Sequence, residues 1–321
     1  MRIILLCCLT LLTFLTCDAQ FGLKDKILGG AGKLFDKGIS KKLMNEPITS
    51  SFNDCDKTKV MPVEFGKDST KILLCTMPFD TLKGFLLKPG FYKAVVKSFC
   101  LHAGTYAPSK GNGYLFAPLK GPKEQLVYKL INNWKSHPDI QQRDLQLLLW
   151  AVIARTKFKD LDTRLKLVSA RLLSENDIDE LSNVGIEYLS DAALKKAISN
   201  MPSPLQKIAE AENAMRQKFY AATVDYNEME NLAMLAGIET AGNGDIARGT
   251  WSLLPEGCYV RYMPYGYPRT YVEIYVPATL GADGIYFNSV GKIAMPANIS
   301  SQRLAQSNMI SCDDITDPWQ H

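Results

Sequence analysis

The sequence predicts an α+β protein: a β-containing N-terminal module packed on a helical middle, with a small β domain at the C-terminus. Three observations predict it. Residues 90–100 alternate cleanly, with Tyr92, Ala94, Val96, Ser98 and Cys100 on one face and Phe91, Lys93, Val95, Lys97 and Phe99 on the other. From Pro122 to Leu235 apolar residues recur at helical spacing. After Ala236-Gly237 the chain returns to short apolar runs broken by Gly and Pro. With 321 residues, 46% of them hydrophobic and 22% charged, the chain suits two or three modest ordered domains. Nothing in the bulk composition points to nucleic acid. The expected organisation is a signal peptide over 1–19, a basic amphipathic leader over 20–50, a strand–loop–helix module over 51–160, a helical segment over 161–240 and a Tyr-rich β domain over 241–321.

Arg2 precedes a nearly unbroken apolar run over residues 3–15, and Cys17-Asp18-Ala19 offers small residues for cleavage before Gln20. This is the pattern of a secretory signal peptide, too short to span a bilayer. The rival reading is a lipoprotein anchored through Cys17, for which Phe14-Leu15-Thr16 is a poor approach. The mature protein is therefore expected to be secreted or held at the cell surface. In the leader, six lysines against Asp25 and Asp36 give +4 over residues 20–45, equal to the net charge of the whole chain. Such a segment can touch an anionic membrane peripherally. Its five glycines each cost about 1 kcal/mol in a helix interior and favour a plain leader.

Residues 60–65 and 71–77 read as short strands between Asp, Gly and Pro. The uncharged face of residues 90–100 should point inward and carry Cys100 with it. Residues 102–122 are turn-rich, with a hairpin expected around Gly111-Asn112-Gly113. Their glycines and Lys110 lack the spacing of a phosphate loop. Helices are expected over 123–135, 138–155, 160–173, 177–183 (after the capping box Ser174-x-x-Asp177), 186–200 and 204–235. Later strands are expected over 258–263 and 270–276, flanking a turn at 264–268. A further hairpin is expected from 284–288 and 292–295, and a short helix toward the end of 298–308.

Five cysteines follow the signal peptide: Cys55, Cys75, Cys100, Cys258 and Cys312. Export permits disulfides, and an odd count leaves one thiol over. Nearness in sequence pairs Cys55 with Cys75 and Cys258 with Cys312, leaving Cys100 alone. The helix 144–155 is apolar on nearly every side, yet it carries Gln146 on the face of Leu149, Trp150 and Ile153. That face must be buried, and a buried amide without partners costs about 1–3 kcal/mol. A thiol and a carboxamide held together in a dry pocket can condense: sulfur attacks the amide carbon, ammonia leaves, and an internal thioester results.

Phe99-Cys100, followed by Leu145-Gln146-Leu147-Leu148-Leu149-Trp150, resembles the thioester domains of bacterial surface adhesins over residues 88–156. Those domains pair an aromatic-preceded Cys with a Gln four residues before a Trp on a helix. Here Leu145 stands where they carry Thr and Leu148 where they carry Ala, and the intervening segment is short. The resemblance implies a surface or secreted binding protein with Cys100 and Gln146 as the bonded pair. Its partner would be a surface protein or glycan offering an amine or hydroxyl.

Two other constellations stand in the sequence. Cys100 and His102, two apart, raise a cysteine hydrolase with His102 assisting, but side chains two apart on a strand stand parallel rather than in line. Zinc-ligand spacing is absent, and neither a metal nor a cofactor is expected. Tyr259, Arg261, Tyr262, Tyr271 and Tyr275 in the C-terminal strands could form an exposed aromatic strip for non-covalent glycan or protein binding. Alternation spreads these tyrosines over both faces. The Asn298-Ile299-Ser300 sequon matters only in a host that glycosylates such sites.

Overall fold

The computed structural model describes residues 46–108, 113–183, 191–222, 224–236, 246–297 and 300–312. The expected signal peptide, most of the expected leader, residues 111–112 of the expected hairpin, residues 186–190 of an expected helix and Asn298 lie outside them. In chain order the strands are β1 (Val60–Met61), β2 (Lys71–Leu73), β3 (Phe79–Asp80), β4 (Gly84–Leu87), β5 (Gly90–Cys100), β6 (Thr105–Tyr106), β7 (Tyr114–Pro118), β8 (Met234–Leu235), β9 (Trp251–Leu253), β10 (Tyr259–Tyr265), β11 (Arg269–Val276), β12 (Ile285–Phe287), β13 (Lys292–Pro296) and β14 (Leu304–Ser311). The helices are α1 (Glu124–Trp134), α2 (Gln142–Ile153), α3 (Thr163–Leu172), α4 (Glu175–Ser182), α5 (Asp191–Ser199), α6 (Ser203–Tyr220) and α7 (Tyr226–Ala233). Among the described residues, 191–201, which include α5, belong to a second compact unit; all others belong to one unit.

The fold is α+β. Its main sheet runs β1-β9-β10-β11-β5-β14-β13-β7, with β2 pairing β5 in parallel. The sheet curls until its far strands approach: the Phe116 N–H in β7 donates to Ser252 Oγ in β9 at 2.9 Å. β5, with 11 residues, is the long central strand. Its Tyr92, Ala94, Val96 and Cys100 are all buried in the main core, as their alternation requires. The opposite face is covered as well. Phe65 packs on Phe91, Trp251 and Tyr275 at ring separations of 5.7, 6.1 and 4.9 Å. Gly66 makes that cover possible: its φ is +66°, and a Cβ there would run into the Phe91 ring.

The helical middle follows the sequence pattern closely. α4 carries the predicted capping box, with both the Ser174 and the Asp177 bonds present. The run 204–235 is two helices rather than one. Ala222 has φ +51°, and Asp225 caps the second helix by accepting from the Glu228 N–H at 3.0 Å.

Several expectations are corrected. The C-terminal strands are not a separate β domain, because β11 pairs with β5 over eight residues from Arg269↔Lys97 to Val276↔Gly90. β12 and β13 do not form a hairpin; β12 pairs with β4, and β13 lies between β14 and β7. The end of 298–308 is strand, not helix, since β14 fills the free edge of β5. The pairing of Cys55 with Cys75 and of Cys258 with Cys312 is replaced by one disulfide, Cys75–Cys312, closing 237 residues. β2 and β14 both pair with β5, which brings their flanking cysteines together despite that separation. Cys55, Cys100 and Cys258 are buried free thiols.

Non-reducing peptide mapping is expected to recover the Cys75 and Cys312 peptides as one linked species. Cys75→Ser is expected to lower stability by about 2–5 kcal/mol in urea titration.

Candidate functional site

The site begins where a strand runs out. β11 accompanies β5 only as far as Lys97, which pairs with Arg269. Beyond it, the β11-side edge of β5 would carry bare backbone groups inside the core. Ser98 N–H still reaches Pro268 O at 3.0 Å. After that, helix α2 takes over. Gln142 Nε2 donates to Ser98 O at 3.2 Å and to Pro268 O at 2.9 Å. One helical turn later, Cys100 N–H donates to Gln146 Oε1 at 2.9 Å, and Gln146 Nε2 donates to Cys100 O at 2.9 Å. A carboxamide presents one donor and one acceptor as a peptide group does, so Gln146 replaces the missing strand at Cys100. On the other edge, Cys100 is paired with Leu304 of β14.

Thus the two residues picked out in the sequence are in contact, though not through the thiol and amide expected to meet; Cys100 is 0% and Gln146 1% exposed. What meets the amide is the Cys100 backbone. The thiol itself donates to His102 O at 2.7 Å, and the His102 N–H approaches Sγ at 3.4 Å. Burial pushes the thiol pKa up to about 11, partly opposed by the His102 backbone and by the Trp150 indole. That indole N–H lies close enough to the sulfur to favour the thiolate, yet completes no hydrogen bond of ordinary geometry. The sulfur is therefore a thiol at neutral pH.

His102 serves the thiol through its backbone, not its ring. Its Nε2 is buried without a partner. Burial and then the nearby Arg303 guanidinium push its pKa down to about 3, opposed by Glu46. Both contacts of His102 with the sulfur run through its backbone and not through the ring for which an assisting role was expected.

A pocket of about 250 Å³ opens over Gln146. Gln142 and Gln146 contribute to its lining from α2, with Arg143 beside them; Tyr226 and Glu230 come from α7, and Tyr267 and Pro268 from the β10–β11 turn. Trp150 braces the two tyrosines, its ring 5.7 Å from Tyr226 and 6.2 Å from Tyr267. The Arg143 guanidinium stacks 4.8 Å from the Tyr226 ring. The Tyr267 hydroxyl donates to Glu230 Oε1, and the Tyr226 and Tyr267 hydroxyls are bonded to each other. Because Tyr267 spends its proton on Glu230, Tyr226 is the donor in the second bond. Burial raises both phenol pKa values, and the bond to Glu230 raises that of Tyr267 further.

Sequence reasoning missed Gln142, Tyr226, Glu230 and Tyr267. Gln142 was findable, since it stands one turn before Gln146 on the same helix face. The other three converge from a helix and a turn distant in sequence, and nothing local marks them.

The aromatic strip is corrected. Tyr262 is 1% and Tyr271 3% exposed, on opposite faces of the sheet. Arg261 is fully buried, with Nε donating to Glu273 Oε2 at 2.9 Å, Nη1 to Val63 O at 2.8 Å, and the guanidinium over Trp251 at 4.5 Å. Tyr275 lies against Phe65 and Phe91, and Tyr259 stacks 6.4 Å from Tyr275. Arg261, Tyr262 and Tyr271 are thus interior while Tyr259 and Tyr275 are half-buried, so the five do not form one exposed strip.

Among the described residues no cluster of three His, Cys, Asp or Glu side chains could hold a metal ion. No described helix is long and apolar enough to cross a membrane. Comparison with known proteins returns no match to a family model, to a curated protein or to a solved structure.

Gln146→Leu is expected to destabilise the protein by about 1–3 kcal/mol for each Cys100 backbone group it strips of a partner, read from urea midpoints. His102 generates a pH dependence. Its folded pKa lies below the ordinary 6.5, so the folded chain binds fewer protons than the unfolded one. The stability it contributes is present above about 6.5 and is lost as pH falls toward about 3. His102→Asn should flatten that acid descent in urea titrations; an unchanged slope would contradict it.

Proposed function

We propose that this is an exported surface or secreted binding protein that attaches covalently to a partner's amine or hydroxyl through a Cys100–Gln146 thioester. The observation that carries the reading is the seating of the Gln146 amide on the Cys100 backbone at the foot of an open pocket. The resemblance of Phe99-Cys100 and of Gln146 through Trp150 to adhesin thioester domains supports it. So does the signal-peptide pattern of residues 1–19.

The chemistry balances without a cofactor. Cys100 Sγ attacks Gln146 Cδ, the S–C bond forms, the C–N bond breaks, and ammonia leaves with the thiol's proton. The Cys100 N–H already donates to Gln146 Oε1, which polarises the amide and would stabilise the oxygen as negative charge develops on it. To react, the sulfur must turn from the His102 carbonyl toward the amide carbon. Burial of both residues then shields the thioester from bulk water until a nucleophile enters the pocket. The partner would be a surface protein or glycan carrying that nucleophile.

Intact mass tests the reading. The mature protein should weigh about 17 Da less than its disulfide-corrected sequence, the loss of one ammonia, and Cys100→Ala or Gln146→Ala should each abolish the deficit. An unmodified mass in freshly purified protein would sink the covalent reading. It would leave the pocket, with Arg143 and Glu230 on its rim, as a non-covalent site.

A further inference from the structure

We infer that Tyr226, Tyr267 and Glu230 form the proton path that serves the nucleophile entering the pocket over Gln146. This inference rests on the thioester reading and deepens it, since an acyl transfer from Gln146 needs a proton acceptor beside it. Among the groups described at the site, the Cys100 thiol and the His102 imidazole do not supply one. The thiol is spent in the bond, and His102 is not part of the pocket lining.

The hydrogen bonds give the path a direction. Glu230 accepts from Tyr267, and Tyr267 accepts from Tyr226. Each phenolic proton therefore points toward the carboxylate. The Tyr226 oxygen, its proton committed to Tyr267, keeps lone-pair capacity to accept an N–H or O–H from a molecule in the pocket. One shift along the row takes a proton from the nucleophile to Tyr226, from Tyr226 to Tyr267, and from Tyr267 to Glu230. Glu230 is half-buried and can release it to solvent.

The row is also held still. Trp150 backs both rings, Arg143 stacks on Tyr226, and α7 and the β10–β11 turn supply the hydroxyls from two separate parts of the fold. The charged and titratable groups facing the row are Arg143 from α2, Glu230 from α7 and the Cys100 sulfur from β5. In the full step, the bond from the nucleophile to Gln146 Cδ forms and the bond from Cδ to Cys100 Sγ breaks. The nucleophile's proton passes to Glu230 and out to water, and the released sulfur takes a proton from water to become a thiol. Nothing is oxidised or reduced.

The test uses the full mature chain and methylamine as the probe, followed by intact mass from roughly pH 6 to 9, with capture read as a gain of about 31 Da on the thioester form. Glu230→Gln, Tyr267→Phe and Tyr226→Phe should retain the untreated deficit of about 17 Da yet capture methylamine about 100-fold more slowly, with a changed pH profile. Glu230→Asp should restore much of the rate and the native profile. Glu230 is partly exposed, so its variants remain informative even where the buried Tyr267→Phe folds poorly. Capture within about two-fold of wild type at every pH in variants that keep the deficit would overturn the proton path and leave the thioester standing. Loss of the deficit in the Glu230 and Tyr226 variants would also overturn it, by assigning these groups to formation of the bond. A wild-type chain with no deficit would remove both readings together.

Discussion

The structure turns on how a central strand ends inside a core. β5 is longer than its neighbour β11, and its last residues on that side would carry unpaired N–H and C=O groups where water cannot reach them. Two side-chain amides from α2 finish the ladder, Gln142 at Ser98 and Pro268 and Gln146 at Cys100. This fixes the helix against the sheet at two points one turn apart. It also explains why a helix whose other buried residues are all apolar carries two glutamines toward the sheet.

The proposed chemistry would draw on the same arrangement that satisfies the backbone. The amide is clasped to the Cys100 peptide, and its carbonyl accepts from the Cys100 N–H. The cost of holding the thiol in this dry place is a raised pKa, about 11, so the sulfur is a poor nucleophile until something draws it from the His102 carbonyl. The pocket supplies the complementary half. Its floor includes the amide, and its far wall is a row of hydroxyls that ends in a carboxylate.

Much of the fold was legible because it is periodic. The alternation in residues 90–100, the helices of the middle and the capping box at Ser174 all follow from local spacing. That Gln146 would need a buried partner was legible for a different reason, a lone amide on an apolar face; that the partner is the Cys100 backbone and not its thiol was not. Pairings made by topology were hidden. Cys75 and Cys312 meet only because β2 and β14 share an edge of β5, and no rule of sequence nearness reports that. The tyrosines of β10 and β11 misled because period-two alternation tells which residues share a face but not whether that face is covered; here Phe65 and its loop cover it. Tyr226, Glu230 and Tyr267 were silent because each is ordinary where it stands and acquires meaning only from the other two.

The Cys75–Cys312 bond has a mechanical side. It staples the chain just after β2 to the chain just after β14, so β5, α2 and everything else between residues 75 and 312 lie within one covalent ring. Tension pulled between a point before residue 75 and a point after 312 crosses the sulfur bridge and bypasses that ring. Under such a pull the strand end clasped by Gln146 would stay slack, because the sulfur bridge and not β5 would carry the load.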